Sequence, residues 1–330
     1  MLVCGQARGM TRRRALLAAA GLGGLAACSP APDAAVAQQP LRVAIDLWPG
    51  YFPAVLADEL GWLAPAGVAL KLAFPADTDR MIADFAAGQY DLIGASLGDL
   101  IALTRGHLGV EVIVVCDESS GGDAVLLRRG VTLETDRPLT IGTNLGGFGE
   151  VFLHEFIDQR HLQHKRWTWV NADAAEVPRL LASGMLDVGH TWEPYASQAV
   201  AAGASKLFSS AETPGLVADV LVATRVTVQR RRPPLQAFVR QWFRAVDWWS
   251  ANPLAAVQLI SRRLHLAQAK VSLQGVRLLD LAHNRRMLGA GGAVPALASV
   301  VQRYSDFFVA KGTVGRPLDA LALLQAELLP

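Results

Sequence analysis

Acidic and small residues are concentrated directly after the apolar run Val110–Cys116, in the stretch DESSGGD at 117–123. Carboxylates bracketing serines and glycines are typical of a polar turn, a metal loop or a loop that holds a ligand. A calcium loop needs more oxygen ligands at regular spacing, which excludes that interpretation. We expect a strand-end loop in which Asp117 accepts hydrogen bonds from a ligand and the glycines let the backbone approach it. Capping of backbone groups within the turn is the alternative for Asp117 and Asp123.

Four further stretches are rich in aromatic, acidic or small residues: WPGY at 48–51, SLGD at 96–99, NLGGF at 144–148 and WEPY at 192–195. None of them contains Lys or Arg. Carboxylates beside aromatic faces suit a cationic or donor-rich ligand, through charge-assisted hydrogen bonds and cation–π contacts of about 0.5–2 kcal/mol each. The candidate ligand-binding residues are Trp48, Tyr51, Ser96, Asp117, Ser119, Asp123, Gly147, Phe148, Trp192, Glu193 and Tyr195.

Some of these residue types also have a purely structural interpretation. Asp99 stands at the start of a predicted helix, where capping or stabilisation of the helix dipole is the favoured role. The alternative for Trp48 and Tyr51 is packing in a core or in a contact between the lobes. Glu193 precedes a proline and is harder to explain by packing, so it is the preferred ligand contact.

A glycine-rich stretch, GTNLGGFGE at 142–150, joins a predicted strand to a helix and resembles an anion cradle. It lacks the GK[ST] of a P-loop and the GxGxxG spacing, which argues against a nucleotide phosphate site. Its backbone N–H groups could still hold a carboxylate or a neutral acceptor, although Glu150 in the first turn opposes an anion there. A zwitterion, a sulfonate or nitrate therefore remain alternative ligands.

An enzyme is the competing class of function. His154, Asp158 and His161 are spaced i, i+4 and i+7, which places them on one helix face and would suit a metal. They lie well past the helix start, away from the strand ends, and no Ser or Cys has a recognisable nucleophile setting. We therefore expect no catalytic residue, no metal and no cofactor.

Predicted strands and helices alternate from Leu41 onward, in one β-α-β-α-β unit to Cys116 and a second cycle from 139 to 210. Apolar runs at 124–130 and 217–228 carry the chain between the units, and everything beyond Pro233 reads as helical. The sequence predicts an α/β fold of two lobes. Lobe 1 would comprise 41–123 and 217–330, and lobe 2 would comprise 124–216. Ligands of such sheets bind beyond the carboxyl ends of the strands, and here that is the cleft between the lobes.

The first 40 residues predict export. TRRRALLAAAGLGGLAAC at 11–28 has a basic start and an apolar stretch shorter than the ~20 residues of a membrane-spanning helix. Its end, LAAC, resembles the lipobox of bacterial lipoproteins, which implies a signal peptide at 1–27, lipidation of Cys28 and a tether at 28–40. The TRR triplet resembles a twin-arginine signal. Both the Sec and the twin-arginine routes stay open, as does a start at Met10.

The net charge limits the classes of binding partner, and the cysteine content limits the possible disulfides. The four basic residues before Cys28 take the net charge from +2 to −2 when they are removed, so a nucleic-acid partner is not expected. The triplet Arg230–Arg232 predicts a solvated loop. Cys116 is left alone in the mature chain and is expected to be a small buried hydrophobe.

The ordered motifs WPGY, AAGQYDLIGASLGD, DESSGGDAVLL, DVGHTWEPYASQA and ADVLVAT resemble the substrate-binding lipoproteins of bacterial ABC importers, in the nitrate/sulfonate/bicarbonate or NMT1/THI5-like class. The resemblance covers about Leu41–Leu288. It implies a type II periplasmic-binding-protein fold, with mostly parallel sheets and a hinge, and an ABC permease in the inner membrane as partner. A monomer anchored on the periplasmic side of the envelope is expected. A ligand-sensing lipoprotein is the alternative, and the resemblance does not fix the ligand. The cysteine-rich loop of the related pyrimidine synthases is missing.

Overall fold

A computed structural model describes residues 39–105 and 108–330. The predicted signal peptide, Cys28 and nearly all of the tether lie outside these residues. The strands are β1 Leu41–Ala44, β2 Leu70–Ala73, β3 Leu92–Ser96, β4 Val110–Ser119, β5 Asp123–Leu127, β6 Leu139–Thr143, β7 Trp167–Asn171, β8 Val188–Trp192, β9 Ser205–Ser209, β10 Ala218–Thr224 and β11 Val276–Leu278. The α-helices are α1 Pro53–Glu59, α2 Thr78–Ala86, α3 Leu97–Arg105, α4 Phe148–Gln159, α5 Val177–Ala182, α6 Tyr195–Ala201, α7 Arg225–Arg230, α8 Arg232–Ala251, α9 Pro253–Leu264, α10 Leu281–Met287, α11 Leu297–Ala310 and α12 Ala320–Leu323.

The strands form two sheets, ordered β11-β4-β10-β3-β1-β2 and β7-β6-β8-β5-β9. In the first sheet β1 to β4 point in one direction and β10 and β11 run against them. In the second sheet only β5 is reversed. The predicted α/β fold is confirmed, and both sheets are mixed because the chain enters the second sheet on β5 and returns to the first on β10. We call the first sheet with its helices lobe 1 and the second lobe 2.

Three apolar clusters give the molecule its layers. One lies between lobe 1 and the long helix α8, where Trp242 and Trp249 are buried. A second, smaller cluster covers the outer face of lobe 2. The third joins the two sheets, and it includes Ile93 of β3, Ile141 of β6 and Phe308 of α11. All ten residues of β4 are buried, which fits the apolar run Val112–Cys116 at its centre.

Two sequence expectations are wrong in this part of the molecule. Beyond Pro233 the chain is not wholly helical, because the three residues of β11 pair with the end of β4. The arginine triplet is not a solvated loop, because it lies where α7 passes into α8. Arg231 is buried and donates to Asp91, at 2.8 Å, and to the carbonyl of Pro40, at 3.1 Å. The buried carboxylate of Asp91 requires this cation.

Cys116 is fully buried in β4, as predicted. Within the described residues, none of the helices is both long enough and apolar enough to cross a membrane.

Candidate functional site

Three aspartates of lobe 1 converge near the crossing between the lobes. Asp46 lies two residues beyond β1, Asp117 is near the end of β4, and Asp219 is at the start of β10. Asp117 and Asp219 are directly opposite each other in the antiparallel pairing of β4 with β10, and the register shifts just after Asp219. Side chains opposite each other in such a pair project from the same face. A bulge beside them is typical of a place where a strand re-aims a functional side chain.

The WPGY motif supplies the hydrogen-bond donors that hold these acids. The indole Nε1 of Trp48 lies 3.3 and 3.4 Å from the two carboxylate oxygens of Asp117. The hydroxyl of Tyr51 donates to Asp219 at 3.0 Å. A Cβ atom at Gly50 would lie 1.6 Å from Oδ2 of Asp117, so only glycine lets the motif approach the acid this closely. Both donors are neutral, and neither compensates the negative charge.

Burial raises the pKa of all three aspartates. It raises the pKa of Asp46 to about 6, and Asp99 adds to this by repulsion. For Asp117, burial and the charges of Asp46 and Asp123 together raise the pKa to about 7. The pKa of Asp219 lies well above its usual range, again through burial first and repulsion by Asp117 second.

None of the three carboxylates takes part in an ion pair within the described part of the chain. In that same part, no group of three His, Cys, Asp or Glu side chains has the arrangement of a metal site. The cluster is therefore a concentration of carboxyl groups to which the described side chains supply no cationic partner.

On the lobe 2 side, Asp123 belongs to a buried hydrogen-bonded chain. Its carboxylate lies 2.8 Å from Nε2 of His190, and Nδ1 of His190 lies 3.0 Å from the hydroxyl of Thr143. His190 is not among the candidate residues predicted from the sequence, although a histidine inside the apolar strand DVGHTW is an available signal. This chain ties β5, β6 and β8 together, which supports the structural alternative for Asp123.

Aromatic rings cover the buried histidine. Phe148 meets His190 edge-on with ring centroids 5.8 Å apart, and Trp192 lies 5.6 Å from Phe148. Both rings are only partly buried. They give lobe 2 an aromatic surface beside the crossing, and this surface packs on the hydrogen-bonded ring of His190.

The two lobes touch where α3 and α4 begin. A Cβ atom at Gly98 would lie 2.6 Å from the backbone nitrogen of Phe148 and 3.2 Å from the carbonyl carbon of Gly147. Ser96 and Asp99 are engaged in capping α3, because the Ser96 hydroxyl and backbone N–H both donate to Asp99, at 2.8 and 3.0 Å. Gly98 thus permits an approach that any side chain would prevent.

The glycines of DESSGGD make room for another part of the chain. The carbonyl of Gly275 accepts from the backbone N–H groups of Ser120 and Gly122, at 2.7 and 3.0 Å. A Cβ atom at Gly122 would lie 2.7 Å from that oxygen. Ser119 donates to or accepts from Ser210 at 2.7 Å and accepts from the N–H of Asp123 at 3.0 Å. In this structure the loop is a tight junction between the crossing and the C-terminal segment.

The WEPY motif lies on lobe 2 and its acid caps a helix. Glu193 accepts from the backbone N–H of Ser197 at 3.1 Å and from the Ser197 hydroxyl at 2.9 Å, at the start of α6. Nζ of Lys270, from the C-terminal segment, lies 5.8 Å from the ring centroid of Tyr195. Lys270 is therefore a cation beside a candidate motif that sequence reasoning did not place there.

The glycine-rich stretch before α4 is partly occupied by its own chain. Glu150 accepts from the N–H of Gly146 at 2.8 Å, and the N–H of Leu145 donates to Asn171 at 2.9 Å. Lys311, directly after α11, pairs with Glu150. The chain's own carboxylate thus already accepts one of the N–H groups at this helix start, which makes it less suited to a sulfonate or nitrate.

His154 of α4 fills an aromatic contact between the lobes. Its ring stacks on Trp169 with centroids 4.8 Å apart and meets Phe307 of α11 at 4.9 Å. Burial lowers the pKa of His154. Asp158, on the same face, accepts from Gln163 at 3.0 Å. His161 lies beyond the end of α4 at Gln159 and has a left-handed backbone, with φ of 54°, so the prediction that the three residues share one helix face is wrong.

Two α/β lobes, joined by two crossing strands and facing each other across a cluster of polar and aromatic residues, define a fold of the periplasmic-binding-protein class. The chain belongs to the NMT1-like family, whose model matches residues 34–263. Comparison with curated protein sequences gives no match.

Solved structures support the same fold. The periplasmic aliphatic sulphonate binding protein SsuA from Escherichia coli is similar with a TM-score of 0.71 at 13% identity, over 87% of this chain and 92% of that one. The zinc-bound ligand-binding component of an ABC-type import system from Staphylococcus aureus gives 0.67 at 12% identity, over 88% and 98%. The periplasmic nitrate-binding protein NrtA from Synechocystis PCC 6803 gives 0.64 at 13% identity, over 86% and 84%.

Proposed function

We propose that this protein is the extracytoplasmic substrate-binding component of an ABC importer and that its ligand is a small cationic or nitrogen-rich compound. The family and the fold support the binding role. The observation that carries the ligand class is the set of three buried or partly buried carboxylates, Asp46, Asp117 and Asp219, without a cationic partner in the described residues.

The sign of the charge decides between ligand classes. Two unit charges about 4 Å apart interact by ~4 kcal/mol at an effective dielectric near 20. An anion beside Asp117 would meet repulsion of that order, and the helix start that could offset it is occupied by Glu150. The sulfonate- and nitrate-binding proteins are similar to this chain at 13% identity, and a similarity at that level concerns the fold and not the ligand.

Aromatic residues add a preference for a planar or alkylated cation. The partly buried rings of Phe148 and Trp192 lie on lobe 2, and Trp48 lies against Asp117 on lobe 1. A cation is attracted to such ring faces by ~0.5–2 kcal/mol each, more when water is excluded. Binding between the lobes would desolvate the ligand against both charge and ring.

Lobe closure is the proposed mode of capture. The segments 41–123 with 217–330 would move against 124–216 about the crossings on β5 and β10, with an ABC permease as the receiver. Small-angle scattering with and without saturating ligand tests this. Identical profiles would contradict a hinge motion.

The ligand class is tested by thermal-shift and calorimetric titration of the body from residue 39 onward, with agmatine, benzamidine, choline and imidazole against taurine and nitrate. A ligand at 100 Kd stabilises the protein by ~2.7 kcal/mol. At least one of the cations is expected to bind, and Asp117→Asn is expected to weaken it. Micromolar binding of taurine or nitrate that is unchanged in Asp117→Asn would contradict the proposal.

The membrane anchor is a separate part of the proposal and rests on the sequence LAAC at 25–28. Cys28→Ser is expected to abolish incorporation of a labelled fatty acid while leaving the fold of the body intact. Lipid incorporation that persists in Cys28→Ser would show that the signal was misread.

A further inference from the structure

Asp117 and Asp219 form a pair of like charges that an antiparallel sheet normally avoids. They are directly opposite each other on β4 and β10, where like charges destabilise the pairing. Asp117 has no exposed surface. Directly opposite residues of an antiparallel pair have Cβ atoms about 4.5–5.5 Å apart, which brings the two carboxyl groups within reach of each other. Either a proton or an external cation must therefore compensate one of the two charges.

The groups that face this pair are neutral or acidic. Asp46 and Asp123 act on Asp117 by repulsion, and Asp99 acts on Asp219 in the same way. The neutral groups are Trp48, Tyr51, Cys116 and Tyr304.

The nearest acids on either side of the pair already have partners. Asp123 is bonded to His190 on its far side, and Glu118, next along β4, is paired with Arg277. Among the described residues, none of these groups brings a positive charge to the pair itself.

We propose that Asp117 and Asp219 share one proton in the ligand-free protein and that a cationic ligand displaces it. The inference rests on the proposed function, since it requires a cation to arrive at this site. The exchange is balanced: the O–H bond of one carboxyl group breaks, the proton leaves to solvent, and the ligand cation takes its place between two carboxylates. No oxidant, reductant or second substrate takes part.

Hydrogen bonds on the outer sides of the two acids favour this arrangement. Trp48 donates to Asp117 and Tyr51 donates to Asp219, so each carboxyl group is oriented by one neutral donor. Asp46 is held separately, by the backbone N–H of Trp48 at 3.0 Å. The proton is therefore assigned to the Asp117–Asp219 pair, and Asp46 contributes by repulsion.

Proton exchange has a consequence for affinity. A cation that displaces one proton binds tenfold more weakly for each pH unit of acidification, as long as the pair is protonated in the free protein. Above the pH at which the pair loses its proton, affinity no longer changes with pH. The direction is the same for every ligand whose own charge does not change over this pH range.

The first experiment follows the aspartate carboxyl carbons of the ligand-free body by ¹³C NMR from about pH 5 to about pH 8. We expect one shared carboxyl proton near neutral pH, which titrates with coupled signals from Asp117 and Asp219. In Asp219→Asn the Asp117 signal is expected to titrate at lower pH. Asp79→Asn, an exposed aspartate on α2, is the matched control and is expected to leave both signals unchanged. Two carboxylates fully ionised at about pH 6 would overturn the inference.

The second experiment titrates benzamidine calorimetrically at about pH 6 in buffers of different ionisation enthalpy. We expect release of close to one proton per benzamidine bound, and close to none in Asp219→Asn. Binding without proton release would overturn the exchange and leave the proposed function standing. A shared proton in a protein to which neither benzamidine nor the other panel cations bind would overturn the proposed function, and the exchange with it.

Discussion

Asp187 of lobe 2 and Asp117 of lobe 1 are buried to a similar degree, with 3% and 0% of their surface exposed, yet their surroundings are opposite. Asp187 accepts from Arg128 at 2.8 Å and from Arg137 at 2.7 and 2.8 Å. These guanidinium groups hold the pKa of Asp187 well below its usual range. Asp117 accepts from the neutral indole of Trp48, none of the cations in the described residues pairs with it, and burial raises its pKa to about 7.

The difference separates a structural carboxylate from a candidate functional one. Where a buried charge serves the fold, this chain supplies cations for it, as it does again for Asp91 with Arg42 and Arg231. Where a buried carboxylate has no cation beside it, the cost of burying its charge is offset only by a proton or by a bound cation. The comparison therefore yields expectations with opposite signs for the two regions.

The largest expected effect is a reciprocal pair of substitutions. Asp117→Asn is expected to weaken a bound cation on the order of 100-fold, about 3 kcal/mol, while leaving ligand-free stability equal or higher at about pH 8. Asp187→Asn is expected to lower stability by about 2–3 kcal/mol, discounted because both arginines are partly exposed, without changing affinity. Urea unfolding and calorimetric titration of both variants decide it. Equal losses of affinity in the two variants would show that Asp117 and Asp187 do not differ in their role in binding.

The second expectation concerns pH. The raised pKa values of Asp46 and Asp117, about 6 and about 7, mean that the folded state binds more protons than the unfolded chain. Ligand-free stability is therefore greatest near the unfolded pKa of about 4 and falls by several kcal/mol as pH rises toward 7. Asp187 has a lowered pKa and therefore stabilises the folded state above about pH 4. That contribution to stability is lost as pH falls below about 4.

Denaturant midpoints measured across this pH range check the second expectation. The fall in stability toward neutral pH is expected to flatten in Asp117→Asn and to persist in Asp187→Asn. A profile that is equally steep in Asp117→Asn and in the wild type would place the titrating group elsewhere.

A third expectation tests whether the contact between the lobes is needed for capture. Gly98→Ala is expected to lower ligand affinity by about tenfold, because the methyl group would collide with the backbone of Phe148. Within α3 the same change favours the helix by about 1 kcal/mol, and ligand-free stability is expected to hold if the lobes of the free protein separate and relieve the collision. Gly315→Ala, at a glycine with open space around it, is the matched control. Unchanged affinity in Gly98→Ala would mean that the bound lobes are farther apart than in this structure.

The smallest effect is expected at Glu193. Because its carboxylate caps α6 through Ser197, Glu193→Gln is expected to lower stability by less than about 1 kcal/mol and affinity by less than about threefold. The sequence alone predicts a loss of at least tenfold in affinity. Titration of Glu193→Gln beside Ser197→Ala separates the two. A tenfold loss confined to Glu193→Gln would return this residue to the ligand site.

The fold was largely predictable because its information is local. Alternating strands and helices, and two apolar runs long enough to cross between lobes, are visible in the sequence around 124–130 and 217–228. Three residues of β11 are too few to register against a helical background. Arg231 could not be assigned to the interior, because its partner Asp91 lies 140 residues away in the chain.

The acidic cluster was only partly predictable. Asp117 and Trp48 stand out by residue type at strand ends, whereas Asp46 falls inside a predicted strand and Asp219 inside a long apolar run. Asp219 acquires its significance only from the pairing of β10 with β4, which no local pattern encodes. The capping role of Glu193 depends on a hydroxyl four residues later, a local signal that its position before a proline obscured.

The family match ends at residue 263, yet the carbonyl of Gly275 is bonded to the loop where the chain leaves lobe 1. The C-terminal segment thereby braces the joint between the lobes, and the family model does not extend to it. We expect substitutions there to change the stiffness of the joint while the candidate ligand-facing side chains stay the same.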